Sequence, residues 1–227
     1  MNWESESYLL SKRKFRENAN IINVFTPHKG KVGGIVYGGN SRKIRNYLQI
    51  SNKIFVINNT KNDNKIGYFK TELIKPIAPM FFNDKKRTSA ITSLCSLLNS
   101  LLPEEQPNKT IYQLFENFIN FINKDNWIFY YIFFEINLIK ELGYDTNLHS
   151  FSEKLNLDVF QLQKIKIDEN IYDVPVFLIN QIIPDKMNDL LIKKSLEFTR
   201  NILFNKFFSL NNLVFPNSRI ILERYFN

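Results

Sequence analysis

The chain has little of what metal, redox and hydrolytic sites are built from. Its 227 residues include one cysteine and two histidines. A lone Cys95 excludes an internal disulfide framework. His28 and His149 lie far apart, and with a single cysteine they cannot complete a structural zinc site, so no metal is expected. The sequence contains no H-E-x-x-H, C-x-x-C, G-x-S-x-G or G-x-G-x-x-G pattern. We therefore expect no catalytic residues, no cofactor and no small-molecule substrate. Long apolar runs are missing too. "NWIFYYIFF", Asn126–Phe134, meets Glu135 after nine uncharged residues, whereas a membrane span needs about 20. The opening "MNWESESYLL" has neither a basic leader nor an apolar run of signal length. These features lead us to expect a soluble, cytoplasmic protein with no membrane association.

Acidic residues are missing from one long stretch. From Asn18 to Asn62 there is none, against seven Lys or Arg. Residues 1–78 hold 14 basic against 5 acidic side chains, and residues 79–227 hold 16 against 17. The whole net charge of +8 therefore resides in the first third. A basic module joined to a near-neutral one is the footprint of polyanion binding.

What is present suffices for a folded core: 44% of residues are hydrophobic, with 21 Phe among them. Five short β-branched or aromatic segments open the chain: Ser7–Lys14, Asn20–Thr26, Lys31–Gly38, Lys53–Thr60 and Ile66–Ile74. "KNDNK", Lys61–Lys65, reads as a hairpin turn between the last two. Such a run suits a small closed barrel of the OB type. Pro76 and Pro79 bracket a junction. Helical spacing follows in Thr88–Leu102, Thr110–Ile122, Trp127–Gly143 and Asn188–Phe208, with a final helix in "PNSRIILERYF". The expected architecture is α+β: a five-stranded OB barrel over 1–78, then an all-helical domain over 79–227. Residues 144–184 read as irregular, and "FLINQII" (Phe177–Ile183) fits strand or helix.

One segment concentrates the chemistry. Gly34, Gly39, Asn40 and Ser41 nearly spell the phosphate loop G-x-x-x-x-G-K-[ST], but Asn40 replaces the lysine that reaches the phosphates. Five of seven glycines lie between Gly30 and Gly39. We read Gly33 and Gly34 as bulges or bends of a barrel strand. Gly38–Gly39 leads into "NSRKIRN", read as a flexible polar loop. Lys29, Lys31, Arg42, Lys43 and Arg45 would line one side of the barrel and contact nucleic-acid phosphates. Tyr37, bordering the loop, is the best placed ring for base stacking.

Several motifs resemble the RecO family of bacterial DNA repair proteins from end to end. They are the opening W-x-x-E-S-Y-L-L-S pattern, "VFTPHKGKVGGIVYGGNSRK" (Val24–Lys43), "YLQ" (Tyr47–Gln49), "FFEINLIKELGY" (Phe133–Tyr144), "FTRNIL" (Phe198–Leu203) and "NSRIIL" (Asn217–Leu222). The resemblance implies an OB-fold followed by a helical domain, in a non-enzymatic recombination mediator. It implies binding to single- and double-stranded DNA and annealing of complementary strands. It also implies partnership with RecR and with the acidic, apolar tail of the single-stranded-DNA-binding protein, helping RecA load at gaps in the nucleoid. The chain departs from the family in two places. It lacks the cysteines that many relatives carry after the central helix, so no metal is predicted there. Phe133 stands where an arginine is frequent, and Arg200 and Lys206 are the candidate substitutes for contacting the partner's tail. Two other readings stay open from the residues alone. One is a general single-stranded RNA- or DNA-binding OB protein with a helical interaction platform; the other is a degenerate nucleotide hydrolase.

Overall fold

The structure, a computed structural model, describes residues 2–60, 66–154, 158–186 and 188–226. The turn expected at Lys61–Lys65 lies outside these residues. Two compact units divide the chain. The first is Met1–Tyr112 with Pro216–Arg219, and the second is Gln113–Phe215 with Ile220–Asn227. The first unit thus extends past residue 78 and takes in the helix that follows the barrel.

That first unit is built from β1 (Trp3–Arg16), β2 (Ala19–Thr26), β3 (Gly30–Tyr37), α1 (Arg42–Tyr47), β4 (Lys53–Asn59), β5 (Gly67–Lys75) and α2 (Lys85–Leu101). The strands close into a barrel in the order β1-β2-β3-β5-β4. Strand period places alternate side chains inside, as Ile54 and Val56 of β4 show. They pack with Leu9, Ile22, Val24, Val32, Val36, Leu48 and Phe69. β1 serves two neighbours in succession, β4 through Trp3–Tyr8 and β2 through Tyr8–Arg16. Register shifts at Leu9/Ser11 and Lys14/Arg16 let it bend between them.

The closing seam between β3 and β5 is parallel and short, pairing Gly34 with Gly67 and Ile35 with Tyr68. Here the expectation of bulges at Gly33 and Gly34 is corrected, because the β2–β3 register runs unbroken across both. Gly34 instead leaves room for a ring: a Cβ there would lie 2.5 Å from Phe69. Gly30 turns the chain into β3 with φ +68°, and a side chain there would collide with the Gln106 carbonyl.

α2 is capped by Asp84, whose carboxylate accepts from the Arg87 amide at 3.0 Å and pairs with the Arg87 guanidinium at 2.6 Å. Its buried stripe includes Ile91, Leu94 and Leu98, three of the four positions the helical spacing indicates; the fourth, Leu101, is half-buried.

In the chain order that follows come α3 (Lys109–Phe121), α4 (Trp127–Glu141), β6 (Leu162–Ile167), β7 (Asn170–Pro175), α5 (Val176–Ile179), α6 (Asp189–Leu203) and α7 (Asn217–Arg224). α4 is apolar on most faces and buries Trp127, Ile128, Phe129, Tyr131, Ile132, Phe134, Leu138 and Ile139. Glu135 is buried among them but satisfied. Tyr131 Oη donates to one carboxylate oxygen at 2.6 Å and Thr199 Oγ1 to the other at 2.6 Å, tying α4 to α6. Residues 144–184 are more regular than their sequence suggests. β6 and β7 form an antiparallel hairpin, so this part of the chain is helical with one two-stranded insertion. "FLINQII" begins inside α5 rather than in a strand.

Candidate nucleic-acid interface

The segment expected as a flexible loop is a short helix. Ser41 caps α1, its Oγ accepting from the Ile44 amide at 3.5 Å. Arg42, Lys43 and Arg45 project from it into solvent. The helix is held against the barrel by Ile44 and Tyr47, which pack on the barrel core. Tyr47 Oη also donates to the Thr71 carbonyl of β5 at 2.6 Å. Lys12 of β1 completes the attachment, its Nζ donating to the Leu48 carbonyl at 2.7 Å. A cation there satisfies a helix C-terminal acceptor and complements the helix dipole.

The β1–β2 turn is pinned to the same end. The Gly38 amide donates to the Asn18 carbonyl at 2.7 Å, and Asn40 Nδ2 donates to the Glu17 carbonyl at 2.7 Å. Lys14, Phe15 and Arg16 are therefore brought alongside the start of α1. The Arg16 guanidinium lies 5.2 Å from the centre of the exposed Phe15 ring. Burial pulls the Lys12 ammonium below the usual lysine range, and the Arg45 charge pulls it further. Lys12 and Arg45 are thus close enough to disfavour one another, a tension that a bound polyanion would relieve. Sequence reasoning missed Lys12, Lys14 and Arg16. "SKRKFR" at Ser11–Arg16 was the available signal, hidden within what reads simply as a strand.

Tyr37 closes β3 at this end and is 52% exposed. It stacks on Tyr68 of β5, itself 41% exposed, with ring centroids 5.3 Å apart and planes 28° from parallel.

Lys29 and Lys31 lie elsewhere, so the structure does not gather all five predicted cations on one side. They flank Gly30 at the opposite end of β3, about 26 Å and about 20 Å along the strand from Tyr37 at roughly 3.3 Å per strand residue. Lys29 is exposed and lines a separate groove with Arg13, Trp3, Glu104 and Glu105. Lys31 is only 8% exposed, and its Nζ donates to the Asn99 carbonyl at 2.9 Å. Burial lowers its pKa, against the opposing pull of Glu104. It supports the contact between strand and α2 and is not displayed to solvent.

In the second unit, both cations singled out for a protein partner already have acidic neighbours. Arg200 Nε lies 3.5 Å from Glu223. Lys206 donates to Asp168 at 2.5 Å, lies 4.7 Å from the Tyr144 ring centre, and sits in the π turn Phe204–Phe208 that ends α6. Among the described residues, no group of three or more His, Cys, Asp or Glu is placed to hold a metal ion. Within them, no helix is long and apolar enough to cross a membrane.

A closed five-stranded barrel with a helix between its third and fourth strands, followed by helices, places the chain among OB-fold proteins with a helical C-terminal part. The chain belongs to the RecO family. The family model described as Recombination protein O N terminal matches residues 1–77, and that described as Recombination protein O C terminal matches residues 83–153. Curated relatives called DNA repair protein RecO agree. The one from Wolbachia sp. subsp. Drosophila simulans (strain wRi) is 31% identical over 150 residues, covering 65% of this chain and 62% of its own. The one from Roseobacter denitrificans is 31% identical over 145 residues, covering 63% and 60%. The chain thus spans less than two thirds of the length of these relatives.

Proposed function

We propose that this chain acts in DNA repair and recombination as a non-catalytic mediator. It binds single- and double-stranded DNA, anneals complementary strands, and works with RecR to load RecA at gaps in the nucleoid. The observation that carries this reading is the cationic barrel end. Lys12, Lys14, Arg16, Arg42, Lys43 and Arg45 come from two chain segments that barrel closure brings together. Cations so arranged neutralise phosphates without reading bases. An annealing protein needs this property, since it must screen the repulsion between two backbones.

The proposed division of labour follows the family boundary. Residues 1–78 hold DNA and residues 79–227 hold protein partners. Lys29 and Arg13, which line one groove, offer a second phosphate contact, and Lys31 supports the strand that follows Lys29. The acidic, apolar tail of the single-stranded-DNA-binding protein would engage Arg200 and Lys206, displacing Glu223 and Asp168 from them. The family resemblance supports the RecR, RecA and tail partners.

The test is the annealing rate of complementary oligonucleotides coated with single-stranded-DNA-binding protein. The full chain should accelerate annealing several-fold, and the Arg42→Ala, Lys43→Ala, Arg45→Ala triple variant should lose that acceleration. Tight DNA binding with no acceleration would favour the general single-strand-binding reading instead.

A further inference from the structure

The barrel end carries a feature that phosphate binding does not explain. Past the two-residue seam, β3 and β5 part, and a groove of about 550 Å³ opens between them beside α1. That volume lies within the range of small-ligand clefts, about 300–1,000 Å³. Its lining includes buried Val36 and Phe69, Ile44 of α1, and the exposed Tyr37–Tyr68 stack. Lys70 and Thr71 add polar groups. Tyr37 and Tyr68 cover each other on one face and, being about half exposed, keep surface for a ligand. An apolar floor, an aromatic rim and surrounding cations suit a flat aromatic ring attached to a phosphate.

We infer that the Tyr37–Tyr68 stack and its groove form a stacking site for an unpaired base of a single strand. The inference rests on the DNA-binding reading above and adds a selectivity to it. Cations at α1 and the β1–β2 turn meet phosphates of either single-stranded or duplex DNA. Bases in a duplex are paired and stacked on one another, so they cannot enter the groove; an unpaired base can. Pairing would withdraw the base from the rings, so the finished duplex is held only by its phosphates and leaves more readily than the single strands did.

The test compares three probes of equal length by fluorescence anisotropy at fixed salt: an oligo-dT strand, a strand of abasic sugar-phosphates, and a duplex. The Tyr37→Ala, Tyr68→Ala double variant of the chain should bind the dT strand about tenfold more weakly, the scale of losing one base stack. Its affinity for the abasic strand and the duplex should match wild type. The Tyr37→Phe, Tyr68→Phe variant, which keeps both rings, should restore dT binding. Unchanged dT affinity in the alanine variant, or an equal loss on all three probes, would overturn the stacking site while leaving DNA binding intact. Failure of the wild-type chain to bind any probe would overturn the DNA-binding reading and the stacking site with it.

Discussion

At the residue scale, neighbours distant in sequence decide what a side chain does. Phe69 can fill the barrel because residue 34 has no side chain. Gly34→Ala should therefore lower stability by about 1–3 kcal/mol, the cost of overpacking a full core. A thermal melt of the full chain would show it as a lowered Tm. Cys95 is fully buried in α2, and burial pushes its thiol up to about 12. Thiolate is the reactive form, so a thiol reagent should label the native protein very slowly and the denatured protein at once. Fast native labelling would contradict this burial. The cations at 29 and 31 show the limit of reading residues singly. They flank the same glycine and look alike in sequence, but the Asn99 carbonyl, 68 positions away, takes up only Lys31.

At the element scale, strands and long helices were legible because each holds several periods of its pattern. All five barrel strands were expected close to where they occur, and so were the long helices α2, α3, α4 and α6. α1 was not legible: six residues contain under two helical turns, and the preceding Gly-Gly-Asn-Ser reads as loop. The β6–β7 hairpin escaped for a related reason. Its turn uses Asp168 at φ 53° with no glycine beside it, so the usual turn signal is missing. Two predictions belong to this scale. Thr199→Val would remove a hydrogen bond to the buried Glu135 carboxylate, so it should cost about 1.5–3 kcal/mol in chemical denaturation. Asp84→Ala should cost about 1 kcal/mol by uncapping α2. Burial pushes the Asp84 carboxyl up, but the Arg87 amide and guanidinium outweigh it and hold the pKa below its ordinary value. A lowered native pKa stabilises fully above the unfolded value of about 3.9 and is lost as pH falls through the native one. The stability gap between wild type and variant should accordingly be widest near neutral pH and shrink in acid below about pH 4.

At the scale of the whole molecule, the segregation of charge was legible without any structure. The acid-free run Asn18–Asn62 and the surplus in residues 1–78 already set the N-terminal part apart as the one whose charge suits a polyanion. How those cations are arranged was not legible, because strand length and long-range hydrogen bonds decide it. The length of β3 sets Lys29 and Lys31 at the far end of that strand from α1, and hydrogen bonds from Lys12 to Leu48 and from Asn40 to Glu17 bring in Lys12, Lys14 and Arg16, which sequence distance had kept apart from it. The most direct test of this arrangement is the salt dependence of single-stranded DNA affinity, measured on the full chain and on the Arg42→Ala, Lys43→Ala, Arg45→Ala variant. Each phosphate contact contributes about 0.7 to the slope of log affinity against log salt for single strands. The predicted result is a steep slope for wild type, and for the variant weaker binding with a slope shallower by about 2. Equal affinity and equal slope in the two proteins would contradict the assignment of DNA binding to this end of the barrel.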